Sequence, residues 1–244
     1  LAKAQQLEAS GREIIHLEVG EPNFQAPPEA RQSVIESINR KPARYTHTQG
    51  ILPLRKEIAK KYKDDYGVEV NPDQILVSSG SSIALYIAIK ILAPPNTEVI
   101  ITDPCYACYE NMIRMGGAIP VRIPLRLEDR FELDIEKVKA SITSKTEAIL
   151  INSPMNPTGT TFSHETLKEL ADIGIPVISD EIYADLNYLS KPCSFMEFSR
   201  NSVALNGFSK FYAMTGWRLG YLIVPEAWID VAAKLHQNLM ISAN

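Results

Sequence analysis

From Gln74 onward, apolar and polar positions follow a two-part unit: a short run rich in β-branched residues, then a stretch with helical spacing. The short runs are QILVSS (74–79), EVIITD (98–103), AIPVRI (118–123), EAILIN (147–152), IPVISD (175–180), SVALNG (202–207) and GYLIVP (220–225). Helical segments fall between most of them, at 81–92, 106–115, 134–141 and 163–172. Apolar runs of this length, alternating with helices, predict an α/β fold: three α/β/α layers around a mainly parallel sheet of about seven strands. The last two runs have no clear helix between them, so one strand is expected to run antiparallel. Upstream, 29–40 and 51–66 carry helical periodicity. Residues 1–28 read as a short helix, a strand-like IIHLEVG (14–20) and a proline-rich loop, EPNFQAPPEA (21–30). A final helix begins in WIDVAAKLHQNLMISAN (228–244).

Composition narrows the function classes. A chain of 244 residues with net charge -4 and no basic block has no cationic surplus for a nucleic-acid partner. The longest apolar stretch, Ile83 to Leu92, is interrupted by Lys90 and is too short to span a bilayer. The N-terminus, LAKAQQLEAS, has no apolar signal core and starts with Leu, so a trimmed chain is expected. Three cysteines form no even disulfide framework, which suits a reducing, cytoplasmic setting. Cys105 and Cys108 make a CxxC, but a zinc or redox site needs a second ligand pair or a thioredoxin-like context. Cys193 is alone and the four histidines are scattered, so no metal is expected.

In open α/β sheets, ligands sit outside the carboxyl ends of the strands. The residues just after each run are therefore the ones to weigh. Ser79-Gly80-Ser81-Ser82 opens the helix after the first run. It reads either as a capped helix or as a phosphate site built from free N–H groups and hydroxyls. Neither a Walker loop nor a GxGxxG is present. Tyr106, after the second run, could stack on a flat heterocycle or simply fill space. NSPMNPTG (152–159) is a rigid polar loop in which Asn156 precedes a proline and is held extended. Asp180 ends the fifth run, with Tyr183 three residues on. A carboxylate there is costly to bury without a cation, unless it merely caps a helix. Lys210 follows the sixth run among aromatic and apolar residues, either snorkelling to water or acting as a nucleophile in a desolvated pocket. Arg218, eight residues later, could fork onto a phosphate. Taken together, the set fits a flat pyridine ring bearing a phosphate, an aldehyde and a phenolic oxygen, which is pyridoxal 5'-phosphate. On that reading Lys210 forms the Schiff base, Asp180 keeps the ring nitrogen protonated, and Asn156 and Tyr183 steady the phenolic oxygen.

YTHTQGILPLRKEIA (45–59), SSGSSIALY (78–86), PCYACY (104–109), NSPMNPTG, SDEIYADL (179–186) and NGFSKFYAMTGWRLGY (206–221) follow one another in an order that resembles the class I/II aminotransferases, which are fold-type I pyridoxal-phosphate enzymes. The resemblance implies catalytic roles for Lys210, Asp180 and Tyr183. It implies ring stacking by Tyr106 and phosphate contacts from Ser81, Ser82 and Arg218. It places Tyr45 on the phosphate of a neighbouring subunit, which makes a homodimer with a shared active site, and Gly20 and Asn156 at the substrate. Some branches carry a phosphate-binding serine three residues before the lysine. Here that position is Gly207, and Ser209 lies immediately before Lys210, so the phosphate contacts are expected to be arranged differently. The implied organisation is an N-terminal segment (1–28), a cofactor-binding large domain (29–230) and the start of an interdomain helix (231–244), with the chain stopping before a C-terminal small domain. The implied activity moves an amino group between an amino acid and a 2-oxo acid by a ping-pong mechanism. A C–S β-lyase on the same scaffold would look alike, and a non-catalytic cofactor-binding sensor would need a fused DNA-binding module.

Overall fold

The computed structural model describes residues 1–17, 20–40, 42, 44–188 and 191–244. Seven strands form one sheet: β1 (Ile75–Ser78), β2 (Glu98–Asp103), β3 (Ile119–Pro124), β4 (Thr146–Asn152), β5 (Val177–Asp180), β6 (Val203–Gly207) and β7 (Gly220–Ile223). Their spatial order is β1-β7-β6-β5-β4-β2-β3. β7 runs antiparallel to both its neighbours, as expected from the missing helix before it, and the other pairings are parallel. The eight helices among the described residues are α1 (Ala2–Ala9), α2 (Pro28–Arg40), α3 (Leu52–Tyr66), α4 (Ser81–Leu92), α5 (Cys108–Gly116), α6 (Ile135–Ala140), α7 (His164–Asp172) and α8 (Ile229–Met240). No helix among the described residues is long and apolar enough to cross a membrane.

The apolar runs become strands because both faces are covered. Leu76, Val99, Ile101, Leu150, Ile178, Leu205 and Leu222 pack toward α4, α5 and α8. The alternate positions Ile100, Ile149, Ile151 and Val177 pack with Val138 of α6 and Leu167 and Leu170 of α7. At the β1 end, Ile75, Val77, Tyr221 and Ile223 meet Ile58, Tyr62 and Tyr66 of α3. This period-two sorting onto two helix layers makes the three-layer fold.

Local signals set the helix ends. Asp134 accepts from the backbone N–H groups of Glu136 and Lys137 to start α6, and Ser163 accepts from Thr166 N–H to start α7. The second half of α5 matches its periodicity, but the helix begins at Cys108 rather than 106, after a turn that holds the cis Asp103–Pro104 bond. The strand expected at 14–20 does not form where it is described; residues 18 and 19 lie outside the described residues. Ile15 and Leu17 are 84% and 90% exposed and have no neighbouring strand. Alternation alone cannot make a strand without a ladder to join.

Candidate active site

The sheet register brings the carboxyl ends of β4, β5 and β6 level with the start of antiparallel β7. Asn152 of β4 lies opposite Asp180 of β5, and Gly207 of β6 lies opposite Gly220 of β7. A cavity of about 340 Å³ opens beyond them. Gly20, Ser81, Ser82, Tyr106, Asn156, Asp180, Tyr183 and Lys210 all line it. Eight of the residues singled out from sequence, spread across most of the chain, thus meet in one space.

Asp180 forms its buried wall, with 6% exposure. Its Oδ2 accepts from the Tyr109 hydroxyl at 2.7 Å and its Oδ1 from the backbone N–H of Ile182 at 3.2 Å. No ion pair reaches it among the described residues. Burial pushes its carboxyl up to about 6, against the pull of those two donors. The aspartate therefore turns its oxygens into the cavity wall and does not cap a regular helix. Its neighbour Glu181 points away, into a second buried nest. There it accepts from the hydroxyls of Tyr62, Ser179 and Ser194 and from the Phe195 N–H, at 2.9–3.1 Å. Burial pushes Glu181 up to about 7.

Asn156 and Tyr183 converge, with the amide of Asn156 donating to the Tyr183 hydroxyl at 3.3 Å. The loop that carries Asn156 has cis bonds at Ser153–Pro154 and Asn156–Pro157. Asn152, buried at the end of β4, fastens both sides of the site. Its side-chain carbonyl accepts from Asn156 N–H at 2.7 Å and its amide donates to the Asp180 carbonyl at 2.9 Å. Lys210 is half-buried, and its ammonium donates to the Gly20 carbonyl at 2.9 Å.

The start of α4 carries no side-chain cap, so the serines there do not act as caps. Gly80 occupies the N-cap position at φ 87, in the left-handed region that suits glycine. The Arg218 guanidinium lies so close to Gly80 that a Cβ there would fall 2.4 Å from Nη2. From the other side, β7 approaches closely enough that a Cβ on Gly220 would lie 2.5 Å from Ser81 N. The result is a helix N-terminus without a side-chain cap, a facing arginine and no room for a side chain at Gly80 or Gly220.

Three sequence candidates sit off the cavity wall. Ser209 is buried in the turn behind Lys210. Arg218 is at the α4 terminus but exposed. Tyr45 is 80% exposed and contributes nothing to the cavity of its own chain. Gly207 is buried against Leu219 O and Gly220 Cα, at 3.0 and 3.1 Å from a notional Cβ, so a serine would be crowded there. Two wall residues, Tyr109 and Asn152, were missed as site residues although both lie within the family-like motifs. A signal existed for Tyr109, which is one helical turn beyond Tyr106. Away from the cavity, the fold brings ligand atoms of His164, Cys193 and Glu197 within 4.8 Å of one another, so Cys193 is not isolated in space.

The aminotransferase class I and II family matches residues 12–244. The chain belongs to this family. It is 43% identical, over its whole length, to the (5-formylfuran-3-yl)methyl phosphate transaminase of Methanocaldococcus jannaschii, covering 64% of that protein. It is 38% identical to the aspartate aminotransferase of Bacillus subtilis, with 96% of this chain and 62% of the relative aligned. Among solved structures, a Thermus thermophilus aspartate aminotransferase double mutant superposes with a TM-score of 0.96 at 32% identity, over 100% of this chain and 65% of that one. The chain thus spans a little under two thirds of the length of the curated relatives it matches. Family membership accounts for the mixed seven-stranded sheet and for the motifs that meet at its carboxyl edge.

Proposed function

We propose that this chain carries the cofactor site of a pyridoxal-phosphate-dependent aminotransferase, which exchanges an amino group between an amino acid and a 2-oxo acid. The observation that carries the reading is an ammonium and a carboxylate that share a cavity without pairing. Lys210 turns to the Gly20 carbonyl, and Asp180 keeps its buried carboxyl without a cation. A buried, unpaired carboxylate is costly. A protonated pyridine nitrogen is a partner of the right charge and shape.

The remaining groups fit the same molecule. The uncapped α4 terminus and Arg218 suit a phosphate. The Asn156–Tyr183 pair suits a phenolic oxygen, and Tyr106 offers a ring face at the cavity wall. When bound, the pyridoxal ring would supply an electron sink for charge developing on the substrate. Asp180 would hold the ring nitrogen in its protonated form. Lys210 would take the proton from the substrate Cα and return it. Gly20 and Asn156 would border the amino-acid end. On this reading residues 29–230 form the cofactor-binding large domain, and exposed Tyr45 reaches the site of a second copy in a homodimer.

The test is a half-reaction. Protein loaded with pyridoxal phosphate is mixed with single amino-acid donors in the absence of an acceptor. The proposal expects one equivalent of 2-oxo acid per chain and conversion of the cofactor to its amine form. Release of ammonia together with an oxo acid from a β-substituted donor would instead favour lyase chemistry.

A further inference from the structure

We infer that Tyr109 is the positioning residue for Asp180: its hydroxyl holds one carboxylate oxygen so that Asp180 presents an ionised, fixed acceptor to the ring nitrogen. The inference rests on the cofactor reading above and adds a residue to it. Tyr109 is 1% exposed, and its O–H donates to Asp180 Oδ2 at 2.7 Å, the short distance expected of a hydroxyl on a carboxylate. The Ile182 N–H takes the other oxygen at 3.2 Å, and Asn152 fixes the aspartate's carbonyl. Asp180 is therefore held from three elements, its carboxylate by α5 and the turn after β5 and its backbone carbonyl by the end of β4.

Tyr106 lies in the turn that leads into α5, and Tyr109 in the first turn of that helix donates its backbone N–H to the Tyr106 carbonyl at 3.0 Å. Tyr106 and Tyr109 are three residues apart, so both project toward the cavity, and their rings meet edge to face at 5.4 Å. One turn of chain thus delivers the stacking ring and the support for the aspartate. The other ionisable groups around Asp180 are Tyr183 on its own turn, Tyr106 in the turn before α5 and Lys210 from the loop after β6, while the adjacent Glu181 points away. Glu181 has its carboxylate committed elsewhere and Lys210 bonds to Gly20, so neither substitutes for Tyr109. Burial works against the ionised form of Asp180, and the Tyr109 hydroxyl is the strongest influence opposing it. Removing that donor leaves desolvation less opposed.

The test uses two readouts. In the first, the protein without cofactor is labelled with carboxyl-[13C]aspartate, Asp180 is assigned by difference with Asp180→Asn, and its carbon is titrated. Tyr109→Phe, which keeps the ring volume, is expected to raise the Asp180 midpoint by about one pH unit. Placing 3-fluorotyrosine at 109 makes the phenol a stronger donor and is expected to lower it. An unmoved midpoint in both proteins, or a fall in the phenylalanine variant, overturns the inference. A merely structural tyrosine would change melting temperature without this opposed pair of effects. In the second readout, affinity is compared for pyridoxal phosphate and for its deaza analogue, which lacks the ring nitrogen. Tyr109→Phe is expected to shrink the preference for the nitrogen-bearing form by about tenfold where the Asp180 midpoint rises by about one pH unit. An unchanged preference overturns the role at the ring. If neither compound binds the unmodified protein, the cofactor reading fails, while the titration still decides whether Tyr109 governs Asp180.

Discussion

A methyl group at Gly220 should damage the site and the fold together. Gly220 opens β7 where that strand crosses the start of α4, and an alanine Cβ would lie 2.5 Å from Ser81 N and 2.7 Å from Gly80 C. Both contacts are backbone, so neither can swing aside as a side-chain tip would. Relief requires β7 and α4 to separate, yet β7 is paired on both edges, to β1 and to β6. Overpacking of this kind costs about 1–3 kcal/mol. For a chain of this size that corresponds to a fall in melting temperature of about 2–4 °C per kcal/mol. The displaced atoms are the N–H groups assigned to the phosphate, so pyridoxal-phosphate affinity should fall as well. Thermal unfolding without cofactor and a fluorescence titration with it measure the two effects. Gly216→Ala is the control, because a Cβ there has nothing within 4 Å. Equal melting temperatures and equal affinities for Gly220→Ala and Gly216→Ala would refute the close approach of β7 to α4.

Other consequences follow from the buried acids and their neighbours. Asp180 and Glu181 both titrate higher in the fold, near 6 and 7, than carboxyls do in water. Their contribution to stability is therefore full below about pH 4 and lost as pH rises through 6 to 7; the protein without cofactor should melt lower at pH 8 than at pH 5, and Glu181→Gln should flatten that slope. Arg55 is 6% exposed and donates to the Pro72 carbonyl and to Asp73, at 3.0 and 2.9 Å, tying α3 to the start of β1. Chemical denaturation should show Arg55→Ala costing more than Asp73→Asn, whose exposed side of the pair should be worth under about 1 kcal/mol. Tyr183→Phe removes one of two groups assigned to the phenolic oxygen, so the pH midpoint of the bound cofactor's absorbance change should move upward in a spectrophotometric titration.

The sheet was legible because its strands are buried on two faces and therefore read as apolar runs without partners being known. The antiparallel β7 was legible from a missing helix. Its insertion between β1 and β6 was not, since pairing order depends on which edges meet in three dimensions. The false strand at 14–20 shows the converse: Ile15 and Leu17 have the pattern but no ladder. Lys210, Asp180, Asn156 and Ser81 were singled out because they follow strands, and the fold brings them to one cavity. Tyr109 and Asn152 were missed as site residues because their importance lies in contacts to Asp180 from 71 and 28 residues away. Serine capping of α4 was a reasonable expectation that the fold does not use. Gly80 takes the cap position and leaves the helix terminus open.

Whether Lys210 is the amine that meets the cofactor is the central question, and one measurement tests it directly. The chain is incubated with pyridoxal phosphate, reduced with borohydride, weighed intact and mapped by peptide mass spectrometry. One cofactor fixed per chain is expected, on the peptide carrying Lys210, and none in Lys210→Ala. Label scattered over surface lysines, or retained undiminished in Lys210→Ala, would contradict that role.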